Sequence, residues 1–325
     1  AEADPTVTVG GILPAIGGNI RVGGPEFFVA EACEYTNSFL SFFPTMEIIL
    51  NIEADHLDFF KDLEDIRHSF RLFAQKLDEN GVLIINRDIE RMEEITEGLP
   101  CKVITFGKDP GKSIYSAADI VFDQLARASY TLLIEGRPEG TITLGVPGMH
   151  NVYNSLSAIA ATRELGISME KIRTGLLHFT GTNRRFEKKG EIGGVTVIDD
   201  YAHHPQEIRA TLTTAKNYPH KKLWCVFQPH TYTRTAALLD DFVQALMEAD
   251  EVILADIYAA REVNTIGISS ADVAERIQAA GGKAHYIPSF DDIETFILEN
   301  CVPGDLLITM GAGDIVKVGE KLLGL

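Results

Sequence analysis

Two polar clusters stand where apolar runs stop: Asn51-Ile52-Glu53-Ala54-Asp55-His56 and Asp199-Asp200-Tyr201-Ala202-His203-His204-Pro205. In α/β proteins ligands bind at the ends of strands, so both clusters suggest chemistry carried on a strand rim. Glu31 closes the apolar run Phe27-Phe28-Val29-Ala30, and His56 follows closely on the run Met46–Ile52. On neighbouring strands, this carboxylate and a neutral imidazole could hold a divalent cation, oxygen being the hard donor. The alternative for each is a hydrogen-bonded structural residue, with Asp55 and Asp58 as helix-capping groups.

Further segments concentrate recognition chemistry. In Gly148-Met149-His150-Asn151-Val152-Tyr153-Asn154 a glycine opens a helix, and its first turns carry a histidine and two asparagines at i, i+3. An amide offers donor and acceptor together, which suits the edge of an adenine ring; the alternative is capping by Asn151 and a surface Asn154. Arg184 and Arg185 supply two guanidinium groups, matched to phosphate or carboxylate. The run from Asp199 to His204 enters a helix at Pro205, a favoured first-turn residue. An acid there, Asp200 or its neighbour, can bind ribose hydroxyls or a cation, and His203 an anionic substrate. Gln228-Pro229-His230-Thr231-Tyr232-Thr233-Arg234 follows the next strand into another helix, which puts Arg234 near an N-terminus suited to anions. Met310-Gly311-Ala312-Gly313-Asp314 ends a later strand, although a single Gly-x-Gly is weak as a motif.

The elements that must position these groups follow from periodicity. Apolar runs at Glu26–Ala32, Met46–Ile52, Val82–Asn86 and Lys102–Phe106 alternate with helical patterns at Leu63–Leu77 and Arg87–Glu97, which predicts βαβ units and a mostly parallel sheet. Alternating segments between Ser113 and Val146 predict a small antiparallel appendage, followed by helices Asn151–Leu165 and Ser168–Phe179. The glycine pairs in Ala1–Gly24 read as connecting chain. A boundary near Gly181–Asn183 divides the chain into residues 1–182 and 183–325. The second part, with strand runs Gly194–Asp199, Lys222–Gln228, Glu251–Asp256, Ala284–Pro288 and Asp305–Met310, is predicted to be a Rossmann-like domain of about five strands.

Composition sets limits. With 325 residues, 45% hydrophobic and 23% charged, the chain can build two cores. A net charge of −18 repels phosphate backbones, which excludes general nucleic-acid or anionic-membrane binding. The four cysteines are far apart and suggest neither a zinc site nor a disulfide framework. No apolar run approaches the ~20 residues that span a bilayer, and a cytoplasmic protein is expected.

Taken together, Val29-Ala30-Glu31, Asn51-Ile52-x-x-Asp55-His56, His150-Asn151-x-x-Asn154, Phe179-x-Gly181-x-x-Arg184-Arg185-Phe186, Asp199-Asp200-Tyr201-x-His203-His204-Pro205 and Phe227-Gln228-Pro229-His230-x-Tyr232-x-Arg234 resemble the Mur ligases, in order and over essentially the whole chain. Among them the resemblance is greatest to the member that joins L-alanine to UDP-N-acetylmuramate in peptidoglycan precursor synthesis. It implies the remainder of a central ATP-binding domain followed by a C-terminal Rossmann-like ligase domain. It also implies phosphorylation of the muramoyl carboxylate by ATP with Mg2+, then attack of the alanine amine on the acyl phosphate. By the same resemblance Glu31 and His56 bind magnesium, His150, Asn151 and Asn154 face the nucleotide, Arg185 and Arg184 contact phosphate, and Asp200 anchors the ribose. Tyr201, His203 and Arg234 line the amino-acid and muramoyl pocket. Thr231 stands where many members carry a second arginine. Members of the family begin with a uridine-nucleotide-binding domain and carry a Gly-Thr-His-Gly-Lys-Thr phosphate loop. No Gly-x-x-x-x-Gly-Lys-Ser/Thr segment occurs in these 325 residues, so the expectation is that the intact protein is the ligase and this chain alone is not competent.

Overall fold

A computed structural model describes residues 2–56 and 59–325. The chain divides into two compact units, residues 1–123 with 127–180, and 124–126 with 181–325.

The first unit opens with β1 (Thr6–Leu13), β2 (Gly18–Arg21) and β3 (Phe28–Ala30), a three-stranded sheet in the order β2-β1-β3. Gly10-Gly11 lies inside β1 and Gly17-Gly18 at the start of β2, so of the glycine pairs only Gly23-Gly24 falls in connecting chain. Gly17, at φ 70, makes the reversal between two antiparallel strands. Then come β4 (Met46–Ile49), α1 (Leu63–Ala74), β5 (Val82–Asn86), α2 (Glu93–Thr96), β6 (Lys102–Phe106), β7 (Tyr115–Phe122), β8 (Arg127–Ile134) and β9 (Arg137–Pro147), closed by α3 (Met149–Glu164) and α4 (Met169–His178). Strands β4 to β9 form one sheet in sequence order, parallel up to β7 and antiparallel beyond it, so the expected appendage is present.

Local chemistry explains these limits. Asp62 caps α1 by accepting Asp65 N at 3.0 Å, and Ile66, Phe70 and Ala74 give the helix one apolar face against Ile49, Leu83 and Ile85. The helical pattern Arg87–Glu97 yields only the four residues of α2, because Arg91 takes φ 55 and interrupts the turn. On the same side of the sheet lies Glu47, 2% exposed, with neither oxygen meeting a hydrogen-bond partner among the described residues.

The second unit runs β10 (Glu187–Ile192), β11 (Val195–Asp200), α5 (Pro205–Lys216), β12 (Leu223–Phe227), α6 (Tyr232–Ala237), α7 (Leu239–Leu246), β13 (Glu251–Leu254), α8 (Ser270–Ala279), β14 (Ala284–Tyr286), α9 (Phe290–Asn300), β15 (Leu306–Met310) and α10 (Val316–Leu323). Its sheet has six strands rather than about five, in the order β10-β11-β15-β12-β13-β14, with only β10 antiparallel. The extra strand is a charged edge, Glu187-Lys188-Lys189-Gly190-Glu191, which carries no apolar alternation to announce it. Side chains of α5, α7 and α8 share one core with Cys225 and Phe227, and those of α9 and α10 share another with Trp224 and Val226. The chain thus leaves β11 toward one face and the adjacent β15 toward the other. Such a reversal opens a crevice at the carboxyl ends of β11, β15 and β12.

Candidate active site

The crevice in the second unit gathers the strand-end clusters. At the end of β11 two acids are buried for different purposes. Asp199 Oδ2 accepts Arg184 Nε at 2.9 Å and its Oδ1 accepts the Thr309 hydroxyl at 2.7 Å. Burial raises its carboxyl above the usual range against the pull of Arg184 and Thr309. Asp200 accepts Phe186 N at 2.7 Å and Ala202 N at 2.8 Å, tying the turn before β10 to the turn after β11; burial pushes its carboxyl up to about 6 despite those amides. Arg184 also donates to Gly311 O at 2.7 Å, so it is engaged by the protein itself. Arg185 is half exposed, with Nη1 3.4 Å from Glu207 Oε1 and its guanidinium 5.9 Å from the centre of the Tyr201 ring.

From Arg185 a chain of groups crosses the rim. Glu207, three residues into α5, accepts His203 N at 3.0 Å and His204 N at 3.3 Å in a capping box, and its Oε2 lies 3.4 Å from His203 Nδ1. Burial alone would raise Glu207, but His203, these amides and Arg185 hold it below the usual carboxylate range. The His203 ring meets the Tyr201 ring at 5.5 Å and the His230 ring at 5.6 Å, and His230 Nδ1 lies 3.3 Å from Arg234 Nη1. Burial, His203 and Arg234 together depress His230 to about 4, so it is neutral at pH 7. The Tyr201 ring lies under the guanidinium of Arg184 at 4.9 Å. Beneath the rim, a Cβ on Gly313 would fall 2.4 Å from Gln228 Oε1 and 2.8 Å from Tyr258 Cγ; the weak Gly-x-Gly motif is a close-packing device.

One expectation is corrected. The first amides of α6 are not open to an anion: Glu262 Oε2 accepts Tyr232 N at 2.7 Å and Thr233 N at 3.0 Å, and Oε1 accepts the Thr233 hydroxyl.

In the first unit, His56 takes φ 53, and its ring packs on Tyr35 with centroids 4.6 Å apart. Its Nε2 lies 3.4 Å from Glu34 Oε1 and 3.9 Å from Asp55 Oδ2. The hydrogen bond from His56 holds the Glu34 carboxyl below its ordinary value. Glu31 Oε2 accepts Gly10 N at 2.6 Å. Asp58 lies outside the described residues, and among the described residues no group of three or more metal-ligating side chains converges. At the start of α3, Gly148 at φ 97 is the cap. Asn151 does not cap the helix but donates to Pro147 O at 2.7 Å, and Asn154 donates to Asn151 Oδ1 at 3.3 Å. Asn154 and His150 are exposed.

Glu34, Glu207 and Glu262 were passed over in the sequence. Glu207 had a signal, an acid three residues after a capping position, and Glu34 had its closeness to Glu31. Glu262 had none, since only the tertiary fold brings it to α6.

Residues 13–162 match the family described as Mur ligase middle domain, and residues 184–313 that described as Mur ligase, glutamate ligase domain. The UDP-N-acetylmuramate–L-alanine ligase of Lachnospira eligens is 65% identical over 323 residues, covering 99% of this chain and 70% of that protein. The crystal structure of UDP-N-acetylmuramate-alanine ligase from Thermotoga maritima matches with a TM-score of 0.81 at 28% identity, over 99% of this chain and 68% of that one. A murein peptide ligase from Psychrobacter arcticus shares the fold, with a TM-score of 0.69 at 24% identity, over 99% and 71% of the respective chains. Among the described residues no helix is long and apolar enough to cross a membrane.

Proposed function

Because this chain belongs to the Mur ligase family, we propose that it serves ATP-dependent ligation of L-alanine to UDP-N-acetylmuramate in cytoplasmic peptidoglycan precursor synthesis. The observation that carries this reading is the 65% identity to a protein of that name, sustained over 99% of the chain. The chemistry of the crevice agrees. Transfer of the γ-phosphoryl group to the muramoyl carboxylate gives an acyl phosphate and ADP. Attack of the alanine amine then forms the amide, releases phosphate and gives up a proton. Both steps gather negative charge, which preorganised cations stabilise. Arg185 is the guanidinium with most freedom to reach a phosphate, whereas Arg184 supports the frame. His203, Tyr201 and Arg234 surround the space for the carboxylate-bearing substrates. Asp200, with both oxygens already accepting amides, acts on a ribose by shaping the turn or through its remaining lone pairs.

In the first unit Asn151 and Asn154 offer amide edges to adenine, with His150 beside them. Glu31 and His56 would hold magnesium, which takes one or two protein groups and completes its shell with phosphate oxygens and water, while Glu34 steadies His56 from 3.4 Å. When bound, the ion would neutralise phosphate charge. The test is phosphate release by the protein as its gene encodes it, with ATP, UDP-N-acetylmuramate and either L-alanine or a tripeptide. Alanine-dependent release supports the reading; release with the tripeptide alone would replace it with a muropeptide ligase.

A further inference from the structure

Residues 255–269 run from the end of β13 to the start of α8 and are stitched to the turn that follows β12. Ala255 N donates to Phe227 O at 3.0 Å, Tyr258 N to Pro229 O at 2.8 Å and Thr231 N to Tyr258 O at 2.9 Å. The His230 ring stacks on Tyr258 with centroids 5.7 Å apart. The outermost stitch is Glu262, whose carboxylate takes the amides of Tyr232 and Thr233 and the Thr233 hydroxyl. Between these holds Thr231 adopts φ 65, ψ 147. That conformation is foreign to a β-branched residue, and it survives only where the surroundings over-determine it. His230 and Arg234 flank the strained residue, and their side chains meet at 3.3 Å.

We propose that Glu262 is a positioning residue for ligation: it clamps the strained turn at Thr231 so that His230 and Arg234 keep their places in the amino-acid pocket. It touches no substrate; it acts through α6 and through the loop that carries it. The proposal rests on the reading that this crevice takes L-alanine.

The test compares Glu262→Ala with Glu262→Gln in the gene-encoded protein. Glutamine keeps an oxygen for the two amides and a donor for Thr233 Oγ1, so it preserves the clamp without the charge. Glu262→Ala is expected to raise KM for L-alanine about tenfold and to leave KM for ATP within about twofold, with Glu262→Gln restoring KM for L-alanine to within about threefold of the parent. A second readout needs no turnover: trypsin should cut the 325-residue chain after Arg261 about tenfold faster in Glu262→Ala than in Glu262→Gln, both of which carry an uncharged residue after the scissile bond. An unchanged KM for L-alanine, an equal rise in both KM values, or a glutamine variant as impaired as the alanine variant would each overturn the proposal. A parent protein without alanine-dependent turnover would remove the functional reading instead, and the trypsin comparison alone would then decide whether the clamp exists.

Discussion

Arg184 Nε meets Asp199 Oδ2 at 2.9 Å, joining a guanidinium about one-quarter exposed to a carboxylate with no exposed surface. Adjacent Arg185 is half exposed, 3.4 Å from Glu207. Removing one partner of a buried pair strands the other, so Arg184→Met is expected to destabilise the second unit by about 3 kcal/mol. Arg185→Met should cost less than about 0.5 kcal/mol, as exposed pairs do, yet lower kcat/KM for ATP about a hundredfold. Urea unfolding read from Trp224, the only tryptophan and a residue of β12, reports the stability half of this contrast directly. Equal destabilisation by both substitutions would contradict the division of labour.

Glu47 supplies a pH signature in the first unit. Burial raises its carboxyl from 4.5 to about 8. Its stability contribution is therefore fully present below pH 4.5 and lost as pH rises through 8. By linkage the penalty at pH 7 is ~3 kcal/mol. Glu47→Leu should stabilise the unit by about 2 kcal/mol at pH 7 and flatten the dependence between pH 4.5 and 8, as followed by circular dichroism in urea. An unchanged slope would mean that another group carries it.

His230 runs the other way. Its value is depressed from 6.5 to about 4, so its contribution is present above pH 6.5 and lost as pH falls through 4. In an NMR titration of imidazole nitrogens it should remain neutral at pH 5, where an ordinary histidine is charged. A midpoint near 6.5 would show the crevice to be wetter than its packing implies.

The roles of Glu31 and Glu34 should separate. The carboxylate of Glu31 meets one amide, that of Gly10. Glu31→Ala is expected to abolish magnesium-dependent turnover of the gene-encoded protein while moving Tm by less than about 2 °C. Glu34→Gln, which loosens His56, should raise the magnesium concentration for half-maximal activity about tenfold. Full turnover in Glu31→Ala would remove it from the site.

The legibility of this chain followed from where its signals are local. Val82–Asn86 and Lys102–Phe106 could be delimited in the sequence to the residue, because buried parallel strands are unbroken apolar runs ended by turn residues. Strand β10 could not, since a charged edge strand is defined by its partner β11. Leu238 leaves helical geometry and divides α6 from α7, and no glycine or proline stands there to signal the break. In the crevice the clusters at Asp199–His204 and Gln228–Arg234 were visible because each follows its own strand; the meeting of His203 with His230 then comes from the sheet order. The clamp at α6 was invisible, Glu262 lying 30 residues beyond Tyr232.

The position of β15 bears on how the second unit is made. Strand β15, Leu306–Met310, comes after β11 and β12 in sequence, yet it pairs with both and lies between them. During synthesis β11 and β12 therefore have no contact to form with each other, and the crevice has no floor until β15 has left the ribosome. The loss of β15 alone would remove the middle of a sheet, and the nascent unit must wait, with two strand edges unpaired, for a strand made long after both.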